Sequence, residues 1–323
     1  MIKIIKSNKF AILLTLFLCF IIALSPQTYA KSCLNALSVW TIKIFPTLFP
    51  FFVFTRIIVN LSENKPNFMD KFFNKVYNTP TGSFKTFFLS ALSGYPMGAK
   101  LISVQYEKNQ INSNQAKSML SFCSVSGPMF MLGTVGIGIL CSYKAGLVVL
   151  ISNLFAALLN GLLYRSKKIK QQEKFIQAPI KTKFNLGDQV SDGLNSILMV
   201  GAYIVLSFLI IDILKNLNIL SLISNSICCV FRLEQGHDVV NSVLCGLLEI
   251  TRGIIELNCC NISIIIKTII SSFLIGFGGF SIFFQSAHFI EKLNIKKSFI
   301  LLQKITQALF SSLISIPLSF IFL

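Results

Sequence analysis

The chain has 323 residues, 54% of them hydrophobic and 13% charged, with a mean hydropathy of +0.72. A soluble domain carries about 25% charged residues, so this composition excludes an ordinary soluble protein and describes one embedded in a lipid bilayer. The 29 Lys and Arg against 12 Asp and Glu give a formal charge of +17, but the cations gather between apolar runs, as cytoplasmic topology signals do, and not on a face for nucleic acid.

Residues 1–30 carry Lys3, Lys6 and Lys9, an apolar run over 10–24, and the small-residue end Thr28-Tyr29-Ala30. The segment reads as a signal anchor in slight preference to a cleaved signal peptide. A first membrane repeat is expected over 31–165. Its opening span, 34–61, contains Phe45-Pro46 and Phe49-Pro50, which should kink or break it because proline removes backbone donors. In the polar stretch 62–85, Phe68, Phe72, Phe73 and Val76 recur at helical spacing, the pattern of an amphipathic interfacial helix. Residues 84–106 are apolar but interrupted at Ser93-Gly94-Tyr95-Pro96, and read as a re-entrant hairpin. The stretch 112–141 crosses with a break near Ser126-Gly127-Pro128, and 144–164 crosses back.

Arg165, Lys167, Lys168, Lys170, Lys174, Lys181 and Lys183 place seven cations in 19 residues, and the basic linker 166–186 separates the halves. The second repeat, 187–323, holds a span at 187–215, an apolar stretch at 217–231 that suits the interface, a hairpin at 238–258, a broken crossing at 260–290 and a span at 298–322. With the N-terminus inside, most cations face the cytoplasm, and each half holds three crossings and one hairpin. An odd number of crossings inverts the second half relative to the first. The expected fold is an all-α polytopic membrane protein of two inverted repeats, each with a re-entrant hairpin and a broken helix.

Gly94 and Gly246 lie 152 residues apart and each is followed six residues later by a cation, Lys100 or Arg252; the broken segments from Phe122 and Phe273 lie 151 apart. Unwound backbone is tolerated at membrane depth only where it is buried or lines a cavity. Gly94, Tyr95, Pro96, Ser126, Gly127 and Gly278 are therefore candidates for a solute site, where half-helix ends offer N–H groups to anions and carbonyls to cations. Tight helix packing through small residues is the competing account of the glycines. Lys100 and Arg252 read as intramembrane cations approaching the midplane from opposite sides, an arrangement suited to a dianion; snorkelling is the alternative for Lys100. Glu249, next to Thr251, is a partner for Arg252 or a carboxyl that carries a coupling ion. Ser281 and Gln285 share a helix face and either line a path or join helices.

The nine cysteines show no metal-ligand spacing, and whether the neighbours Cys228–Cys229 and Cys259–Cys260 pair is left open. There is no cofactor fingerprint and no nucleophile–base pattern, so neither cofactor, metal nor enzymatic activity is expected. The expected partners are a small-molecule dianion and the bilayer, with no nucleic acid; homo-oligomerisation is left open.

The stretches FPTLFPFF from Phe45, SGYPMGAK from Ser93 and FCSVSGPMFMLGTVG from Phe122 stand in order with Glu249-Ile250-Thr251 and Gly278-Gly279-Phe280-Ser281. From about residue 34 to the end, the chain resembles the YlbJ sporulation integral membrane proteins, also called SpoVV. These belong to a wider group with a nucleoside-recognition gate domain. The resemblance implies a protein of endospore-forming bacteria, in the outer forespore membrane, that moves dipicolinate (pyridine-2,6-dicarboxylate) from mother cell toward forespore. It also implies a fold similar to concentrative nucleoside transporters. It carries the acid and threonine at 249 and 251 but not Arg252. A nucleoside or nucleobase carrier and a non-transporting membrane scaffold for spore maturation are the alternatives.

Overall fold

The computed structural model describes residues 2–61, 68–166, 185–233 and 236–323, and among them every regular element is helical. Residues 167–184 of the expected basic linker lie outside the described residues, as do 62–67 of the first polar stretch.

Helix α1 (Ile2–Leu24) stops at Ser25, and α2 (Pro26–Val39) starts with proline where a missing N–H costs nothing. The boundary expected at 30/31 thus falls inside α2. Tyr29 is buried there against Ile21 and Ile213, and accepts from Asn216 Nδ2 at 3.3 Å. A π-helical turn, Trp40–Ile44, joins α2 to α3 (Phe45–Leu61). The prolines do not break this helix. The wider turn shifts the hydrogen-bond register directly before Pro46, where a regular turn would meet both the ring clash and the missing donor. The Lys43 carbonyl at this turn accepts from the Thr47 and Thr134 hydroxyls, each at 3.1 Å. The result is one apolar span over Pro26–Ile58.

Helix α4 (Phe68–Tyr77) is amphipathic, but it buries Phe73 and Tyr77 while Phe68 and Phe72 stay exposed. Buried Asp70 accepts from the Gly82 and Phe84 amides at 2.9 and 3.3 Å, anchoring the start of α5 (Ser83–Ser93). Helices α5 and α6 (Met97–Glu107) fold back on each other, with Gln105 Nε2 donating to Thr86 Oγ1 at 2.8 Å. Helix α7 (Ser113–Cys123) begins with a reciprocal Asn112–Gln115 cap. After a break at 124–127 the helix resumes, π-helical over Phe130–Ile137, and α8 (Tyr143–Leu163) follows.

Helices α9 (Leu186–Asn216) and α10 (Ile219–Phe231) lead to a second hairpin, α11 (His237–Leu248) and α12 (Ile250–Cys259), in which Gly253 lies on the Gly246 backbone. Helices α13 (Ile264–Phe277) and α14 (Gly279–Glu291) are broken at Gly278, and α15 (Lys297–Phe322) ends the chain. The order long helix, amphipathic helix, hairpin, broken helix, long helix therefore occurs twice.

Five helical stretches among the described residues are long and apolar enough to cross a membrane. Leu194, Leu198, Leu206, Phe320 and Ile321 are exposed on them, a surface that only lipid would cover favourably. Inside, α8, α13 and α15 meet through small and polar residues. A Cβ added at Gly276 would stand 2.9 Å from Ala308 Cα, and Asn160 Nδ2 donates to the Ser121 and Gln303 carbonyls at 2.9 and 3.1 Å. Close backbone approach and interhelical hydrogen bonds replace the hydrophobic drive that lipid removes.

Candidate solute-binding site

Four interruptions of helix meet at one place. At the first, Gly94 adopts φ +77°, and a Cβ there would lie 2.5 Å from the Gly127 nitrogen of the second. The hydroxyl of Tyr95 donates to the Ser124 carbonyl at 2.7 Å, tying the same two breaks, and the Tyr95–Pro96 peptide is cis. The fourth break, Gly278 with φ +89°, faces the Tyr95 hydroxyl, while Gly279 packs on the Leu248 carbonyl and Ile250 side chain of the third.

Around this junction lies a cavity of about 60 Å³. Its polar wall comes from Ser93, Ser126, Tyr203, Glu249, Thr251 and Gln285. Gly94, Tyr95, Gly127 and Ser281 also line it, so the structure brings seven of the eleven sequence candidates together. The wall is made by the first residues of, or those just ahead of, four helical segments: α6, the segment resuming after 127, α12 and α14. Helix N-termini carry partial positive charge, each contributing about 0.3–2 kcal/mol toward a nearby anion. Gln285, 6% exposed, has an Nε2 without a hydrogen-bond partner. A buried donor left open costs about 1–3 kcal/mol, and a bound solute with an acceptor would recover it.

Glu249 is fully placed by its own helix. It is the extended N-cap of α12, with Oε2 accepting from the Arg252 amide at 2.7 Å and the Thr251 amide and hydroxyl beside it. The expected contact with the Arg252 guanidinium is absent. That group bonds Asp212 Oδ1 at 3.0 Å and Glu256 Oε1 at 2.6 Å, and lies over the Phe208 ring at 5.2 Å. Lys215 completes the cluster on Glu256 at 2.5 Å.

Pro96, Lys100, Arg252 and Gly278 are not on the cavity wall, which has no lysine or arginine. The reason is visible along α9. Lys100 stands beside the Arg56–Asp192 pair, whereas Arg252 pairs with Asp212; the two aspartates are 20 residues apart on α9 (212 − 192). At 1.5 Å per residue that is about 30 Å. The α9 residues on the cavity, Val200, Tyr203 and Ile204, lie midway. The two cations thus approach from opposite sides, as the spacing suggests, but each stops well short of the middle. A small dianion does not bridge them.

Lys304 was missed. It sits on α15, 8% exposed, with Nζ donating to the Ser124 carbonyl at 2.6 Å, to Gln307 Oε1 at 3.3 Å and to the Tyr95 hydroxyl. A signal was present in the sequence: a lysine within an apolar span is a functional candidate by default. The nine cysteines are all unpaired, and no cluster of metal-ligating side chains occurs among the described residues.

Helices with lipid-facing apolar surfaces, broken around a cavity with a few polar groups on a mostly apolar wall, define a polytopic integral membrane protein. The chain is 28% identical, over an alignment of 334 positions that covers 94% of its length and 81% of the relative's, to the sporulation integral membrane protein YlbJ of Bacillus subtilis (strain 168). That likeness to a sporulation integral membrane protein runs over nearly the whole chain. No family model matches it, and no solved structure does.

Proposed function

We propose that this protein is a carrier that moves a small carboxylate across a membrane during sporulation, with the four-break cavity as its solute site. The observation that carries this reading is the meeting of four helix breaks at one cavity that also holds an open amide donor. Glu249 already caps α12, so three helix starts remain for an anion, and together they contribute a few kcal/mol at most, set against the ~4 kcal/mol of a millimolar complex. No lysine on the wall is needed for an affinity of that order. Dipicolinate, a planar dianion, is the candidate that the family resemblance implies. The two runs of like elements act as inverted repeats around the site, in the manner of concentrative nucleoside transporters, and the outer forespore membrane is the place of action.

Glu249 sets a condition on this reading. An ionised carboxylate about 4 Å from a solute carboxylate costs roughly 4 kcal/mol at an effective dielectric of 20, which cancels what the helix ends contribute. Dianion binding therefore goes with a protonated Glu249, so a proton travels with the solute or is taken up beforehand.

The wall also suits a nucleobase or nucleoside, since Glu249, Thr251 and Gln285 offer neutral and acidic hydrogen-bonding groups without a cation. Purified protein in liposomes separates the two. Saturable uptake of labelled dipicolinate, uncompeted by uridine or adenosine, supports the carboxylate reading. Uptake of a nucleoside without dipicolinate transport overturns it in favour of the second, and no uptake of either by folded protein overturns carriage of both.

A further inference from the structure

A second, narrow cavity of about 20 Å³ lies behind Tyr95, room for about one water until the tyrosine moves. It shares Tyr95 and Ile282 with the first, so the tyrosine forms part of the partition between them. Lys304, Ser124 and Ser286 give it polar groups, and Phe277 and Phe283 give it aromatic walls.

Lys304 is the unusual member. Its three hydrogen-bond partners, Tyr95, Ser124 and Gln307, are all neutral. None of the ion pairs among the described residues includes it, although nearly all of its surface is buried. Burying a cation without a counter-charge costs several kcal/mol, and buried charges are ordinarily paired. A lysine near a helix end ordinarily relieves that cost by snorkelling to the interface. Lys304 instead turns inward, with Nζ 4.5 Å from the centroid of the Tyr95 ring. Arg252 makes the contrast, because two carboxylates neutralise it where it stands. An amine with no counter-charge is thus held open on a cavity, where an arriving anion would stabilise its protonated form, beside a side chain that separates that cavity from the solute site.

We propose that the rear cavity is a second binding station for a carboxylate, in which Lys304 is the counter-charge and Tyr95 the movable partition. The inference rests on the carrier reading above and supplies the positive group that the front cavity lacks. A carboxylate entering the rear cavity takes over the ammonium donors now spent on the Tyr95 hydroxyl and the Ser124 carbonyl. Those two contacts join the first and second breaks to α15, so binding loosens that tie as the solute arrives. The aromatic walls favour a flat ring carrying the carboxylate over a flexible chain.

The test uses the full chain, in detergent for binding and in liposomes for uptake. The probes are labelled dipicolinate, its uncharged diamide (pyridine-2,6-dicarboxamide), and benzoate and phthalate as simple aromatic carboxylates. Wild type is compared with Lys304→Gln, which keeps a donor but no charge, and Lys304→Arg, which keeps the charge. The expected result is carboxylate binding weakened at least tenfold in Lys304→Gln and within threefold of wild type in Lys304→Arg, with diamide binding unchanged in both. Equal carboxylate binding by wild type and Lys304→Gln overturns the proposal. Loss of diamide and carboxylate together in Lys304→Gln overturns it too, since that marks a collapsed latch and not charge recognition. Failure of every carboxylate to bind or thermally stabilise wild type likewise overturns it. The carrier reading is judged by uptake alone. Lys304-dependent binding without transport keeps this site and removes the carrier, and transport indifferent to Lys304 does the reverse.

Discussion

The tips of the two hairpins, residues 94–96 between α5 and α6 and Glu249 between α11 and α12, hold the same place in the element order and are built from different chemistry. The first tip is glycine, tyrosine and proline, and its polar contact is made outward, to the Ser124 carbonyl and to Lys304 on the last helix of the other half. The second is a single extended glutamate that caps its own helix. One tip is therefore held by the rest of the molecule, while the other holds itself. Both tips reach the cavity and both touch the broken helices, but only the first is tied to other elements by side-chain hydrogen bonds.

The largest effect that would separate the breaks concerns their glycines. At Gly94 a side chain needs a left-handed conformation and also strikes the Gly127 backbone at 2.5 Å; at Gly278, with φ +89°, the nearest atom is the Tyr95 hydroxyl at an ordinary 3.4 Å. Gly94→Ala should cost more than about 3 kcal/mol, conformational penalty and clash together, and should abolish the monodisperse protein peak in detergent. Gly278→Ala should cost only about 1–2 kcal/mol, the conformational part alone, and leave a folded protein with a lower unfolding temperature. Equal loss in both would mean that backbone conformation, not contact between the first two breaks, limits assembly.

The cations six residues beyond the two glycines give a smaller contrast. Arg252 is half-buried between Asp212 and Glu256, so Arg252→Gln leaves two carboxylates against Lys215 alone. Losing a partner from a buried pair costs about 3–5 kcal/mol and from an exposed one under about 1; at this intermediate burial about 1–3 kcal/mol is expected. Lys100 stands beside Arg56 as well as Asp192, so Lys100→Gln removes a repulsion with the attraction and should change stability by less than about 0.5 kcal/mol. Thermal unfolding reads both, and solute affinity should stay within twofold in each folded variant. A solute affinity that collapses in either one would return that cation to the binding site.

This is also where reading the sequence succeeded and failed. The order of elements and the four breaks were legible because glycine and proline punctuate apolar runs in ways that hydropathy makes visible. That Pro46 and Pro50 do not break their helix was not legible: the π-turn at Trp40–Ile44 just ahead of Pro46 leaves no mark in composition, and Pro50 sits within α3 itself. Seven of the site candidates reached the cavity because they belong to the breaks themselves. Lys100 and Arg252 did not, because they stand four residues into α6 and three into α12, about 5–6 Å along the helix, and turn toward partners on α9 whose register no local pattern reveals. Lys304 reaches Tyr95 from 209 positions away, a contact that only the fold defines.

The smallest effect on stability, and the sharpest on mechanism, belongs to Glu249. Its carboxylate accepts from the Arg252 amide at 2.7 Å, and glutamine can do the same through its amide oxygen. Glu249→Gln should therefore leave the unfolding temperature nearly unchanged, whereas Glu249→Ala removes the cap and should cost about 1 kcal/mol. The transport consequence runs the other way. If anion entry requires a protonated Glu249, wild type should bind and take up dipicolinate better as pH falls, because the repelling charge is removed before the dianion arrives. Glu249→Gln is permanently in the uncharged form, so its uptake should lose that dependence and no longer respond to an inward proton gradient. Uptake by Glu249→Gln that keeps the wild-type pH profile would confine Glu249 to capping α12. The self-supporting tip would then be only a structural piece, and sensing of the solute would fall to the first tip and Lys304.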